Sequence, residues 1–232
     1  MQPHIATLNL AGGNPALDLA NTVSDRHGAS PRDHLADGYG DLVDWAEHAG
    51  LLDAAGAATL REAARADPAA AARAHARALD LREAVFAVFA PIAAGRLPGA
   101  DALARLDRHV ADARPRLAPA AVPGGGSGGG TPPRFVRRFD RPAGDLDRIR
   151  RIAAWAAADL LTSDDRIGRV RECANEPCGW LFLDASKNGT RRWCDMRDCG
   201  SLTKMRRFRA RHRHTRPAAS DGKGRKAARS RP

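Results

Sequence analysis

Four cysteines constrain this chain more than any other feature. Cys173, Cys178, Cys194 and Cys199 stand as C-x4-C, fifteen intervening residues, then C-x4-C, with no cysteine left over. Two short-loop pairs separated by a hairpin's length of chain can bring four thiolates around one tetrahedral ion. A closed four-sulfur site suits zinc and leaves no position open for a reacting water, so its role would be structural. The competing arrangements are two disulfides or four unrelated thiols. Met1 to Asn9 carries no basic stretch followed by an apolar one, so no secretory leader is expected, and disulfides are disfavoured in the reducing cytoplasm that this implies. The expectation is a cytoplasmic protein with one structural Zn2+ held by these four residues.

The residues between the cysteines support that reading. Cys173 to Cys178 would be a knuckle turned at Glu176-Pro177. Trp180 to Leu183 reads as a strand, Lys187-Asn188-Gly189 as a turn, and Arg191 to Trp193 as the returning strand, since Asn-Gly is a strong hairpin signal. The second cysteine pair then runs into a helix. Knuckle, hairpin and helix follow one another in the treble-clef order. On that helix Leu202, Met205 and Phe208 recur every three residues and are expected to pack under the hairpin.

Charge separates this end from the rest. The chain has 232 residues, with 38 Lys+Arg against 27 Asp+Glu and a formal charge of +11. Residues 201–232 contain 12 basic residues and one acid, Asp221, and so hold the whole excess, while residues 1–200 are formally neutral. A neutral body with a cationic end fits a protein that grips a polyanion there. Lys204, Arg206, Arg207, Arg209, Arg211 and Arg213 on the helix, with Lys187, Arg191 and Arg192 on the hairpin, are the candidate nucleic-acid contacts. The alternative is a charged solvent face. Residues 215–232, rich in Gly, Ala, Pro and Ser, read as a basic disordered tail.

The body reads as mostly helical. Of the apolar residues in the whole chain, 48 are Ala, and Leu, Ile, Val and Phe together number only 40, so the core is thin and a metal staple would help it. His4 to Leu10 is expected as a short strand. Asn14 caps a helix begun by Pro15. Further helices are expected over Gly38–Ala49, Asp53–Ala66, Asp67 to Ala94 with a kink at Pro91, Asp101–Ala113 and Asp145–Leu161. Two β segments, Arg116–Val122 and Arg134–Phe139, would flank the glycine run 124–130. That run formally matches G-x-S-x-G around Ser127, but without a following helix it reads as a loop rather than a nucleophile elbow. No catalytic pair stands out in residues 1–165, so no enzymatic activity is expected. No apolar run is long enough to span a bilayer. Asn14, Asp18 and Asn21 recur at roughly helical spacing. They would line a small-molecule effector pocket or, alternatively, cap and brace the first helix.

Taken together, Cys173-x4-Cys178-Gly179-Trp180-Leu181-Phe182-x-Asp184-x-Ser186-Lys187-Asn188-x-x-Arg191-Arg192-Trp193-Cys194-x-Met196-x-x-Cys199-Gly200 closely resembles the CGNR zinc-finger family of bacterial transcription regulators. In that family the finger follows an N-terminal α/β domain called ABATE. The stretch Gly12-Gly13-Asn14-Pro15-Ala16-Leu17-Asp18-Leu19-Ala20-Asn21-Thr22 resembles that domain's opening motif, and Trp45 to Leu52 its next helix. The resemblance implies a treble-clef zinc site and DNA binding in a regulator described as stress-induced. One departure stands out: the family's Cys-Gly-Asn-Arg is Cys199-Gly200-Ser201-Leu202 here. Ser201 can cap a helix as Asn would, but Leu202 offers neither the charge nor the donors of arginine.

The expected architecture is therefore α+β. An α-rich, ABATE-like domain over residues 1–163 precedes a treble-clef finger over 166–214 and the basic tail over 215–232. The expected function is zinc-dependent DNA binding in transcription regulation, with double-stranded DNA as partner. The alternatives are an RNA- or ribosome-associated binder, a protein-interaction module with a purely structural finger, and a thiol redox sensor.

Overall fold

The structure, a computed structural model, describes residues 5–114, 116–119, 135–138 and 142–213. The glycine run with Ser127 and the basic tail lie outside the described residues, as do the side chains of Arg207, Arg211 and Arg213. The fold is helix-rich. Helix α1 (Pro15–Ala20), α2 (Tyr39–His48), α3 (Ala54–Ala66), α4 (Pro68–Ala93), α5 (Ala100–Asp112) and α6 (Arg148–Leu161) form the body. Helix α7 (Ser201–Arg213) ends the described chain.

The helix starts follow from their first residues. Asn14 Oδ1 accepts from the Ala16 N–H ahead of Pro15, Asp53 from Gly56 and Asp67 from Ala70. Each satisfies a donor that the first helical turn leaves unpaired. Pro91 falls in the last turn of α4, which ends at Ala93 with Ala94 as its cap, where the sequence places the helix end. Gly95 then takes φ +70° and Arg96 N–H closes back on the Pro91 carbonyl, which is the usual glycine-terminated helix end.

Helix α4 is the axis. It packs against α1, α2, α3, α5 and α6. Its buried line is Ala71, Ala74, Ala78, Leu81, Val85, Val88 and Phe89, and α6 answers with Ile149, Ala153, Ala157 and Leu160. The alanines are therefore core residues: with no side chain beyond Cβ they let the helices approach closely, which is how a chain poor in larger aliphatics still closes a core. Around this core, buried arginines are paired rather than expelled. Arg82 makes two bonds to Asp33 at 2.7 and 2.9 Å. Arg150 joins Asp112 and Asp147, and Arg151 joins Asp145 and Asp112.

Strands are short and paired two by two. β1 (Val23–Ser24) pairs antiparallel with β2 (Arg32–Asp33), and β3 (Arg116–Pro119) with β4 (Phe135–Arg138) around the glycine run. β5 (Val170–Glu172) pairs with β6 (Leu181–Leu183) in the register Val170↔Leu183, Arg171↔Phe182 and Glu172↔Leu181.

Three expectations are corrected. Ile5–Thr7 is a single 3-10 turn and not part of a strand. The partner of the Trp180–Leu183 strand lies before the first cysteine, in β5, and residues 191–193 form no strand. The Asn188-Gly189 turn does form, with Gly189 at φ +63°. However, the Asp184 carboxylate takes the N–H of Arg191 at 3.0 Å and that of Ser186 at 2.9 Å, so a side chain satisfies the loop where a strand ladder would have done so. Finally, Leu202, Met205 and Phe208 do not pack under a hairpin: they are 47%, 47% and 55% exposed.

The core does not stop at the end of α6. Cys173, Cys178, Trp180, Leu181, Phe182, Cys194 and Cys199 belong to the same buried cluster as Leu17, Leu19 and Val88. The segment after residue 166 is thus docked into the body.

Candidate metal centre and basic face

Each cysteine is delivered by a different local device. Cys173 follows β5, and its N–H donates to the Trp180 carbonyl at 2.8 Å. The knuckle closes when the Cys178 N–H reaches the Asn175 carbonyl at 2.8 Å. Gly179 then needs φ +69°, and a Cβ there would stand 2.9 Å from the Arg26 Cβ, so only glycine fits on both counts. Cys194 follows the loop that Asp184 ties down, and its N–H points at the Cys173 sulfur at 3.4 Å. Cys199 lies in a π-helical turn, Met196–Gly200, begun by Asp195, whose Oδ1 accepts from the N–H groups of Arg197 and Asp198. Asp195, not Ser201, is therefore the cap at this point; the Ser201 hydroxyl donates to the Met196 carbonyl at 3.2 Å.

The four sulfurs are buried and all lie within 4.8 Å of one another. Cys178 Sγ is 3.7 Å from Cys194 Sγ, which is 3.6 Å from Cys199 Sγ. A Zn–S bond of about 2.3 Å gives a tetrahedron with edges of about 3.8 Å, so the spacing fits the ion and is far too long for a disulfide. The charges agree. Hydrogen bonds from the Cys178, Cys194 and Cys199 thiols hold the Cys173 pKa well below the usual thiol range. The bond to Cys173 pushes Cys194 up, because a second anion beside the first is disfavoured. A dication removes that conflict and holds all four as thiolates.

The shell around the sulfurs links them to both neighbours. Asn175, 3% exposed, donates through Nδ2 to Cys199 Sγ at 3.4 Å and accepts through Oδ1 from Arg206 at 3.0 Å. On the body side the segment after β1 grips the knuckle. Arg26 N–H donates to the Cys178 carbonyl and His27 N–H to that of Pro177. Trp180 Nε1 donates to the Val23 carbonyl at 3.0 Å. Asn175 and these backbone bonds carry no signal in spacing or composition, and Asp184 enters the sequence reading only as a position of the finger motif.

The polar triplet of the opening motif belongs to the same junction. Asn21, 1% exposed, donates through Nδ2 to the Leu181 carbonyl and accepts through Oδ1 from the Leu181 N–H, both at 2.8 Å. It mimics a strand neighbour for β6. The Gly12 carbonyl accepts from the Leu183 N–H at 2.9 Å. Asp18 takes the Gly12 N–H at 2.8 Å, and burial pushes its pKa up to about 6, with that bond opposing. Asn14 caps α1 and also reaches the Ala156 carbonyl at 3.3 Å. All three are engaged in internal bonds.

The basic candidates divide. Lys187, Arg192, Lys204, Arg206 and Arg209 are exposed. Arg191 is half-buried and turned inward: its Nε donates to the Trp193 carbonyl at 3.0 Å, a second nitrogen bonds the Cys194 carbonyl, and its guanidinium lies 4.4 Å from the Phe182 ring centre. It positions the loop carrying Cys194. No described helix is long and apolar enough to cross a membrane.

A helical body with a four-cysteine finger docked into its core, and a cationic helix issuing from the last cysteine, defines a metal-stapled zinc-finger protein. Residues 13–164 match the ABATE family model, described as "Putative stress-induced transcription regulator", and residues 169–212 match the CGNR zinc finger. The chain belongs to the ABATE family, with a C-terminal CGNR zinc finger that holds one structural zinc ion. No curated protein matches it.

Proposed function

We propose that this protein is a non-enzymatic, zinc-dependent regulator of transcription that binds double-stranded DNA through a treble-clef-type finger in the cytoplasm. The observation that carries the reading is the state of α7. Residues 201–213 contain six Lys and Arg and no acid, and the described cations Lys204, Arg206 and Arg209 are all exposed, Arg206 while bonded to Asn175. A surface helix crowded with like charges is destabilised by self-repulsion until a polyanion neutralises it. Zinc and four thiolates sum to about −2, so the cluster itself does not attract phosphates. Its contribution is rigidity: Cys199 precedes α7 by two residues and Asn175 ties the cluster to Arg206. Lys187 and Arg192, on the finger's loop, are exposed as well.

The test is a selection from a random duplex-DNA pool with the zinc-loaded chain at physiological salt, where non-specific binding is weakened. An enriched motif is expected. Replacing Lys204, Arg206 and Arg209 with Ala should weaken binding and flatten the salt dependence by about 0.9 in log–log slope for each phosphate no longer neutralised. Preferential binding of structured RNA in competition would replace this reading with an RNA-directed one. No retention of any nucleic acid would leave the finger as a structural or partner-binding unit.

A further inference from the structure

The outward side of α7 is not only cationic. Leu202, Met205 and Phe208 recur at intervals of three, and about half of each is exposed. Thr203 marks the opposite side: it is half-buried, and its hydroxyl donates to the Cys199 carbonyl at 2.8 Å and lies 3.4 Å from Asn175 Oδ1. Two helical positions correspond to about 200° of rotation, so Met205 points away from the finger, with Leu202 and Phe208 on either side of it. Lys204 flanks this ridge on one side and Arg206 on the other, while Arg209 rises within it. The arrangement is an apolar crest inside a cationic rim.

The charge decides what covers such a crest. A second copy would bring two helices of six cations and no acid against each other, a like-charge pairing. A bilayer surface is a poor match, because three large apolar side chains in thirteen residues fall short of the apolar face of an interfacial helix. A duplex supplies phosphates to the rim and, on the floor of the major groove, one apolar group that a side chain without donors can recognise: the C5-methyl of a pyrimidine. At about 1.5 Å per residue, α7 is about 20 Å long, and the groove is about 12 Å wide and admits a helix.

We propose that the Leu202–Met205–Phe208 crest reads C5-methyl groups of pyrimidines in the major groove of duplex DNA. This rests on the DNA-binding reading above and assigns its sequence preference to apolar contact. It also gives Leu202 a role: touching a methyl group instead of hydrogen-bonding a base edge.

The test measures anisotropy with the zinc-loaded full chain at one salt concentration. The probes are an A·T-rich duplex, the same duplex with uracil in place of thymine, and a G·C-rich duplex with and without 5-methylcytosine. Withdrawing one recognised methyl group should weaken binding about fourfold, and adding one should tighten it by a similar factor. The variant Leu202→Gln with Met205→Gln alters only exposed positions, so zinc content and helicity should be retained. It should erase the methyl dependence while leaving the salt slope unchanged. The variant Lys204→Ala with Arg209→Ala should do the reverse. Equal affinity for methylated and unmethylated duplexes, with DNA still bound in a salt-dependent manner, overturns the crest while leaving the DNA-binding reading intact. No affinity for any duplex removes both.

Discussion

Replacing Asn21 with Ala should destabilise the finger without touching a ligand of the metal. The Asn21 side chain supplies both a donor and an acceptor to the Leu181 backbone, at 2.8 Å each, in a place where Leu181 is fully buried. Alanine removes both partners and admits nothing in their place. A buried backbone group left unpaired costs about 1–3 kcal/mol, so two should cost about 2–6 kcal/mol. β6 carries Leu181 between Cys178 and Cys194, so undocking it loosens the chain joining the two cysteine pairs. Urea unfolding of the zinc-loaded chain should show the effect as a lower midpoint, and zinc transfer to a chromogenic chelator should accelerate at least about tenfold. A stability loss below about 1 kcal/mol, or an unchanged zinc-transfer rate with a lowered midpoint, would refute the idea that the opening motif and the finger form one cooperative unit.

Other outcomes follow from single residues. Asp18 has its pKa raised from 3.8 to about 6; the protonated form is the one the fold prefers, so its contribution is fully present below pH 3.8 and is lost as pH rises through 6. Asp18→Asn keeps an acceptor for Gly12 and should stabilise the chain by about 1–3 kcal/mol at about pH 7.5, with a smaller gain at about pH 5; a variant destabilised at the higher pH would contradict this. Gly179→Ala meets both a positive φ and the Arg26 Cβ at 2.9 Å. It should cost at least about 2 kcal/mol and weaken zinc affinity, measured by competition with a chelator. Zinc removal should change the near-ultraviolet signal of Trp180, which bonds the Val23 carbonyl. It should also lower the unfolding midpoint of the whole body, because the finger's residues share the body's core; two independent transitions would argue against that.

Much of this molecule is legible in the chain. Asn14-Pro15, Asp53 and Asp67-Pro68 announce helix starts through local chemistry, and the structure has helices there. Two C-x4-C pairs in one short segment point to a metal site, and the structure gathers their sulfurs. The strand partner of Trp180–Leu183 is not the one that the turn at Asn188-Gly189 suggests, although that turn signal is genuine. What cancels it is Asp184, a buried carboxylate that ties up the loop's donors, and such capture depends on burial that no local pattern encodes. The period-three spacing of Leu202, Met205 and Phe208 is helical in the structure too, but period alone does not say whether an apolar line faces a core or solvent.

The sequence by itself determined the helices, the metal ligands and the position of the charge, since each is set by residue type and by spacing along a few turns of chain. Tertiary structure alone decided that Asn21 pairs with Leu181, that Arg191 turns inward on Phe182 while Arg192 stays outside, and that the outward crest of α7 is apolar. These depend on encounters between residues up to 160 positions apart, where geometry, not local preference, chooses which donor meets which acceptor.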